Sequence, residues 1–541
     1  MKKLIIVLIF LFHLPGLFSQ SSPGEVLLPG IGPNYRIYPS NVTQSEVFIV
    51  KSPVDQKILF ASCNTLSFIP FFISEGIYVT TDAGNSWQGN DTCMGYPIDF
   101  HGADPGITID KNSTFIITRL GRSPFTGLYS HFSYDNGQTW SSQNVISTDD
   151  LERAVLASDA DASSPFYGRT YAAWIKFALP FPLMLAWSDN GAQNWSSPMQ
   201  INNPSYRSAG GDIDIGPGGI VYTCWAGVTD VSPFSEIFIG FASSSSGGTE
   251  WNITENAFPV NGITGVLSNK ANIRVNGLPA IAVDNTEGQR KGWIYIVTGQ
   301  KDLSPAGSDP DVILNRSSDG GVTWSAGIRV NQDVLNNGKT QYFPAVHIDK
   351  SGAVNVIFYD DRNTTNDSSG VILARSKDGG ETWTEFEISD HHFKPTPIGG
   401  LGQGYQGDNI DITSTDTKLW PVWMDNSTGI YQIWTVPIDF FEVNGINVRD
   451  NSIPAPLLFQ NVPNPFDRNT RISFQLSGIS RVVLKVFDFM GNEIGTLVDS
   501  EVKPGTYFEN FDANGLPPGV YFYQLQADDR IVTGKMVLSP H

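Results

Sequence analysis

Charge is scarce in this 541-residue sequence: Asp, Glu, Lys and Arg make up 16% of it, against about a quarter in an ordinary globular chain. Basic residues are the scarcer half, 34 against 54 acidic, and the net charge of −20 excludes a phosphate-binding surface and hence a nucleic-acid partner. Cysteine is nearly absent, with three residues and no zinc-ligand spacing. Beyond the first 20 residues no apolar run approaches the roughly 20 residues that span a bilayer. Nor is there a Ser nucleophile elbow, a Walker loop or a dinucleotide fingerprint in context. What is abundant is 53 Gly, 34 Pro and 12% aromatics, the mix of a large β protein with many tight turns and room for two to four domains.

The chain opens MKKLIIVLIFLFHLPGLFSQ. Lys2 and Lys3 precede an apolar run from Leu4 to Phe12, and Pro15-Gly16 break it, the pattern of a secretory signal peptide over residues 1–19. A membrane anchor is the alternative, disfavoured by the shortness of the run; no Cys follows it, which argues against a lipoprotein. An oxidising compartment permits a Cys63–Cys93 bridge. Cys224, in VYTCWAGV, then reads as a small core residue.

A phrase Ser-x-Asp-x-Gly-x-Thr-Trp recurs: SYDNGQTW from Ser133, SSDGGVTW from Ser317, SKDGGETW from Ser376 and the variant TTDAGNSW from Thr80. Degenerate copies start at Ser188 (SDNGAQNW) and Ser244 (SSSGGTEW). The phrase resembles the Asp-box, or BNR repeat, of sialidases and other β-propellers. Its chemistry fits a rigid hairpin corner: the Asp bonds turn amides, the Gly takes a positive φ, and the Trp packs between sheets. Asp82, Asp135, Asp319 and Asp378, with Trp87, Trp140, Trp195, Trp251, Trp324 and Trp383, are therefore read as structural.

Counting strands gives seven units rather than six. Strand starts fall at Glu46, Asp104, Glu152, Asp212, Leu278, Phe343 and Asp408, each followed by a second and a third strand, and the seventh unit has no box. A seven-bladed propeller over residues 20–445 accounts for this if an early segment, NYRIYPS from Asn34, supplies the missing fourth strand and closes the ring. A six-bladed, sialidase-like propeller is the alternative. After a linker at 446–456, residues 457–541 read as a small β-sandwich with short alternating strands and Gly-Asn and Pro-Gly turns. The blocks LLFQNVPNPFDRNTRISFQL, VVLKVFDFMGNEIGTL and KPGTYFENFDANGLPPGVYFYQLQ resemble the type A sorting domain of the type IX secretion system. That resemblance implies recognition by the type IX machinery, passage across the outer membrane of a Gram-negative bacterium, and removal of this domain with surface attachment or release.

In a four-stranded blade the innermost strand starts on the face that also carries the loops between second and third strands, opposite the Asp-boxes. Glu46, Asp104, Glu152 (beside Arg153), Asp212 and Asp408 would line that mouth of the channel. They would hold a Ca²⁺ ion, bind sugar hydroxyls, or simply cap strand-entry amides; no cofactor is required. On the same face Phe71, Phe125, Phe181 and Phe234 would form an apolar rim over blades one to four. Lys301-Asp302, Asp361-Arg362 and Asp425-Asn426 make the remaining arc polar, a two-sided surface suited to a protein or mixed polymer. For catalysis, sialidases resemble this chain in their repeats and begin with a Phe- or Tyr-Arg-Ile-Pro motif; here Tyr35-Arg36-Ile37 is followed by Tyr38 before Pro39. That resemblance would assign Arg36, Glu152 and Tyr405 to the chemistry, with Arg207, Arg274 and Arg362 as further guanidinium groups. Two functions follow: a secreted propeller binding glycan or protein through one face, or an exo-acting, sialidase-like glycoside hydrolase.

Overall fold

The computed structural model describes residues 33–69, 71–92, 101–440, 457–476, 480–489, 491–503, 505–527 and 530–539. The leader at 1–19, Cys93 and the linker at 446–456 lie outside them. The chain divides into two compact units, one over 28–444 and one that takes up the chain from Gly445 onward.

The first unit contains seven large antiparallel sheets, six of four consecutive strands and one of five. Their innermost strands are Thr43–Lys51, Gly106–Ile109, Val155–Ser158, Arg207–Gly216, Ala280–Val283, Gln341–Ile348 and Asp411–Ser414. Each packs against the innermost strand of the next sheet, and the seventh packs against the first. The result is a closed β-propeller ring, numbered here as blades 1 to 7. Its second strands are sandwiched between neighbouring sheets: Thr170–Ile175 and Val354–Asp360 are buried along their whole length, which is why TYAAWI and VNVIFYD read as unbroken apolar runs rather than alternating ones.

Blade 7 is closed by the beginning of the chain. Tyr35 and Arg36 pair with Thr435 and Trp434, and Ile37 donates its amide to the Ile433 carbonyl at 3.1 Å. Because the N-terminal segment supplies the outermost strand, blade 7 needs no box after its third strand.

Each box tightens the corner between third and fourth strands. In blade 5 the Asp319 carboxylate accepts the Thr323 amide (2.9 Å), the Thr323 hydroxyl (2.6 Å) and the Ser317 hydroxyl (2.8 Å). The degenerate copies keep the same bonds with other side chains: Asn190 accepts from the Asn194 amide at 3.0 Å and Ser246 from the Glu250 amide at 2.8 Å. The box Trp packs on the preceding blade. Trp324 lies 5.1 Å from Phe241 and 5.0 Å from Phe258 of blade 4, and Trp140 lies 5.9 Å from Phe60 of blade 1.

The C-terminal unit comprises a three-stranded and a four-stranded sheet. Asn469–Leu476 and Ser480–Phe487 alternate between buried and outward residues. The inward residues Ile472, Phe474, Val482, Leu484, Tyr523, Leu525 and Met536 form one core, the layout of a small β-sandwich.

Candidate functional site: the channel mouth

Each innermost strand closes in a turn. Ser52, Asp110, Asp159, Asp284, Asp349 and Thr415 donate their amides back across it. The residue six positions upstream occupies the rim of the channel: Glu46, Asp104, Arg153, Leu278, Phe343 and Asn409, with Gly210 as the counterpart in blade 4. Four of these seven have left-handed backbone: Glu46 (φ 56°), Asp104 (56°), Gly210 (48°) and Phe343 (52°). In blades 1, 4 and 6 the ladder register slips at this point, so the strand enters through a bulge that re-aims the side chain. The ring is therefore polar across blades 7, 1, 2 and 3 and small or apolar across blades 4, 5 and 6.

The polar arc is densely connected. Arg153 reaches from blade 3 to the Asn409 carboxamide of blade 7 and lies 3.6 Å from the Glu46 carboxylate of blade 1, its guanidinium 4.8 Å from the centre of the Phe48 ring. Asn64, on the second strand of blade 1, donates to Asp104 at 3.0 Å and to the Tyr405 hydroxyl at 3.1 Å, and accepts the Asp104 amide at 2.7 Å. Arg274 forms a bidentate pair with Asp408 and lies 5.2 Å from the Tyr405 ring centre. Tyr405, Asp408 and Asn409 come from the Gly-rich connection into blade 7. Arg274 comes from a hairpin, Gly265–Leu267 with Ile273–Val275, inserted between blades 4 and 5. That hairpin is anchored by Lys270, whose buried ammonium donates to Asp361 (2.7 Å) and to the carbonyls of Asn366 and Ser368.

Burial dominates the electrostatics. Asp104 is pushed up to about 7 by burial and then by the charge of Glu152. Burial also raises Glu46, reinforced by Asp408 and Asp104, and raises Glu152. The Tyr405 phenol is driven well above its usual value by burial and by the surrounding carboxylates Glu46, Asp104 and Asp408. Below the mouth lies a cavity of about 240 Å³ whose walls include Phe48, Arg153, Asp212, Asp214, Asp408 and Asn409.

Several expected site residues have other work. Arg36 lies on the outermost strand of blade 7, the width of a sheet away from the channel-lining strand, so Arg36, Glu152 and Tyr405 do not converge. Asp212 sits two residues past the rim position, inside the channel. Its carboxylate accepts the amides of Ile213 and, across the blade boundary, Ile281, both at 2.9 Å. Asp214 joins Ile215 to Val283 and Asp411 joins Ile412 to Ile49 in the same way. Asp361 is buried against Lys270 and the Thr340 amide (2.8 Å). Arg362 is saturated by Asp360 and Glu385. Neither presents a free group to a ligand. Cys63 is buried in its blade core, 3.7 Å from the Tyr78 hydroxyl; the partner considered for it, Cys93, lies outside the described residues. Glu46, Asp104, Glu152, Arg153, Asp408 and Tyr405 do come together. Among the described residues no group of three or more His, Cys, Asp or Glu is placed to hold a metal ion. The participants that sequence reasoning missed are Asn64, Asn409 and Lys270. Asn64 and Lys270 did carry a signal, a carboxamide in the middle of an apolar strand and a lysine in a turn next to Arg274.

Of the rim, Phe71, Phe125 and Phe234 are exposed and Phe181 is half-buried. His391, in the Gly-rich connection, bonds Asp390 (2.7 Å) and Asp425 (3.1 Å) and lies over Trp434. It is a tether between loops.

The class these features define is an all-β propeller followed by a small β-sandwich. Residues 462–539 match the family model described as the secretion system C-terminal sorting domain. The chain is thus directed by type IX secretion to the cell surface or the extracellular space. No helix among the described residues is long and apolar enough to cross a membrane. No curated protein matches the sequence. Among solved structures, the chain is similar to a protein of unknown function from Dyadobacter fermentans (15% identity, 64% of this chain and 97% of that one, TM-score 0.42). It is similar also to a PL25 ulvan lyase (12%, 73% and 94%, 0.45) and to the leech intramolecular trans-sialidase (11%, 68% and 71%, 0.39).

Proposed function

We propose that the propeller is a surface-presented recognition module that takes a carbohydrate at the channel mouth without turning it over. The observation that carries this reading is the convergence, over one cavity, of two guanidinium groups, four carboxyl groups, a phenol and the carboxamides of Asn64 and Asn409. Such a set offers paired donors and acceptors for sugar hydroxyls on a pre-organised frame. A sialidase-type mechanism is disfavoured because Arg36 is on the outermost strand of blade 7, away from Glu152 and Tyr405.

One observation favours the second reading, a glycoside hydrolase. Asp104, pushed up to about 7 by burial, neighbours Glu152, itself raised by burial, and a pair of neighbouring carboxyl groups can act as acid and base. The test incubates the full chain with sialylated, uronate-containing and neutral oligosaccharides, measuring binding by calorimetry and released sugar by mass. Binding without release, weakened about tenfold or more in Arg153→Ala or Arg274→Ala, supports recognition. Release that disappears in Asp104→Asn replaces it with hydrolysis. Neither binding nor release from any of the three classes sinks both.

A further inference from the structure

The same face carries a second feature that the mouth does not use. In blades 2, 3 and 4 the loop between second and third strands folds into one recurring turn, in which the amides of Phe125, Phe181 and Phe234 bond the carbonyls three residues back, of Arg122, Ala178 and Val231, at 2.7 to 2.8 Å. Phe181 and Phe234 occupy left-handed backbone, φ 63° each, a conformation that bulky side chains rarely adopt. The turns present apolar groups to solvent: Ile69, Leu179 and Val231 are 93%, 81% and 71% exposed, and Phe71, Phe125 and Phe234 are 59%, 50% and 41% exposed. Apolar tips on four consecutive blades, aliphatic on blades 1, 3 and 4 and aromatic on blade 2, form an arc of a kind that soluble proteins seldom leave uncovered.

Guanidinium groups are stacked into the arc. Arg207 lies 4.6 Å from the Phe181 ring centre and 5.1 Å from that of Phe234, and Arg122 lies 5.5 Å from Phe71. Arg122 makes no ion pair among the described residues, and its Nε has no hydrogen-bond acceptor. Arg207 has one carboxylate neighbour, Asp230, at 3.5 Å. Arg side chains stacked on exposed Phe rings among aliphatic tips are the residue mix found at the centres of protein interfaces.

We infer that the arc over blades 1 to 4 is a docking surface for a protein partner that presents apolar side chains flanked by carboxylates. Sugars are poorly served by Ile, Leu and Val tips, which offer no ring face to stack on. An anionic lipid leaflet calls for a cluster of several basic side chains, whereas the guanidinium groups stacked into this arc are two, Arg122 and Arg207. An acidic, apolar polypeptide segment matches both the exposed aliphatics and the unpaired Arg122.

The inference shares the mouth-bearing face but stands on different residues, so the two fail separately. The full chain is immobilised and used to select from a phage-displayed library of short random peptides, and the selected sequences are then synthesised. The expected consensus combines Leu, Ile or Phe with Asp or Glu. The peptides should bind the triple variant Ile69→Ser, Leu179→Ser, Val231→Ser and the variant Arg122→Gln about tenfold or more weakly, and bind Arg153→Ala as they bind the parent. All substituted rim positions are exposed or at the surface, and circular dichroism checks the fold. Peptides without that consensus, or indifferent to the triple variant, overturn the inference. So does rim-dependent binding to phosphatidylethanolamine–phosphatidylglycerol vesicles with no peptide selected, which would make the arc a lipid contact. Loss of oligosaccharide binding in Arg153→Ala with peptide binding intact leaves it standing whatever becomes of the carbohydrate reading.

Discussion

Asp212, Asp214 and Asp411 each accept one amide from their own innermost strand and one from the next blade, and burial outweighs those bonds to push the three carboxyls up to about 6, 7 and 7. Unfolded, they titrate near 4. Between roughly pH 4 and 7 the folded state therefore binds more protons than the unfolded one, and stability falls as pH rises through that window. Urea midpoints should be higher at about pH 5 than at about pH 7.5, with a shallower dependence in Asp212→Asn. Asp212→Ala, which strands two buried amides, should cost about 1–3 kcal/mol; a pH-independent midpoint would remove the account. At this scale the sequence was half legible. Acids at strand starts pointed to the mouth, but the entry into the innermost strand differs from blade to blade, so Glu152 and Asp212 lie one before and two after the rim position. A count along the chain does not register such a slip. Arg36 misled because a four-residue near-motif says nothing about which strand of a blade carries it.

The boxes are the element at which sequence and geometry agree most closely, because a corner's bonds are local: Asp, Gly and Thr within five residues complete it. Asp319 and Asp378 are held near 2 by their Thr, Ser and amide partners, so the corners keep their charged form until the pH falls through that value. Asp319→Ala should loosen the turn and the seat of Trp324 against blade 4, lowering the thermal midpoint while oligosaccharide and peptide binding stay as in the parent. Loss of binding would mean that the box face is functional. The hairpin that brings Arg274 to the mouth was not legible, since its position depends on Lys270 meeting Asp361 some 90 residues away. The Gly-rich connection behaves as a pH-sensitive strap. His391 is raised to about 9, chiefly by its bond to Asp390 and then by that to Asp425. Its contribution is fully present below the unfolded value near 6.5 and is lost as pH rises through 9. Hydrogen exchange of residues 389–407 should accelerate across that range in the parent, and His391→Gln should exchange fast throughout.

Seven similar blades could close only if the two ends of the propeller met, and the meeting point is the short strand Tyr35–Arg36 against Gln432–Thr435. Its legibility came from an absence: a seventh unit without a box lacked a fourth strand, and NYRIYPS was the segment left over to supply it. Ile37, next to that strand, is 3% exposed and packs with Val47, Ile49, Trp420 and Ile433 of blades 1 and 7. One residue of this N-terminal segment thus couples the first blade to the last. Ile37→Ala should cost about 2–4 kcal/mol, as much as truncation in the middle of a blade. Arg36→Ala, on the same strand but only half-buried, should be close to neutral for both stability and oligosaccharide binding. The comparison separates closure from chemistry: if Arg36→Ala abolished binding or sugar release while Ile37→Ala left the thermal midpoint unchanged, the segment would belong to an active site and not to the seam of the ring.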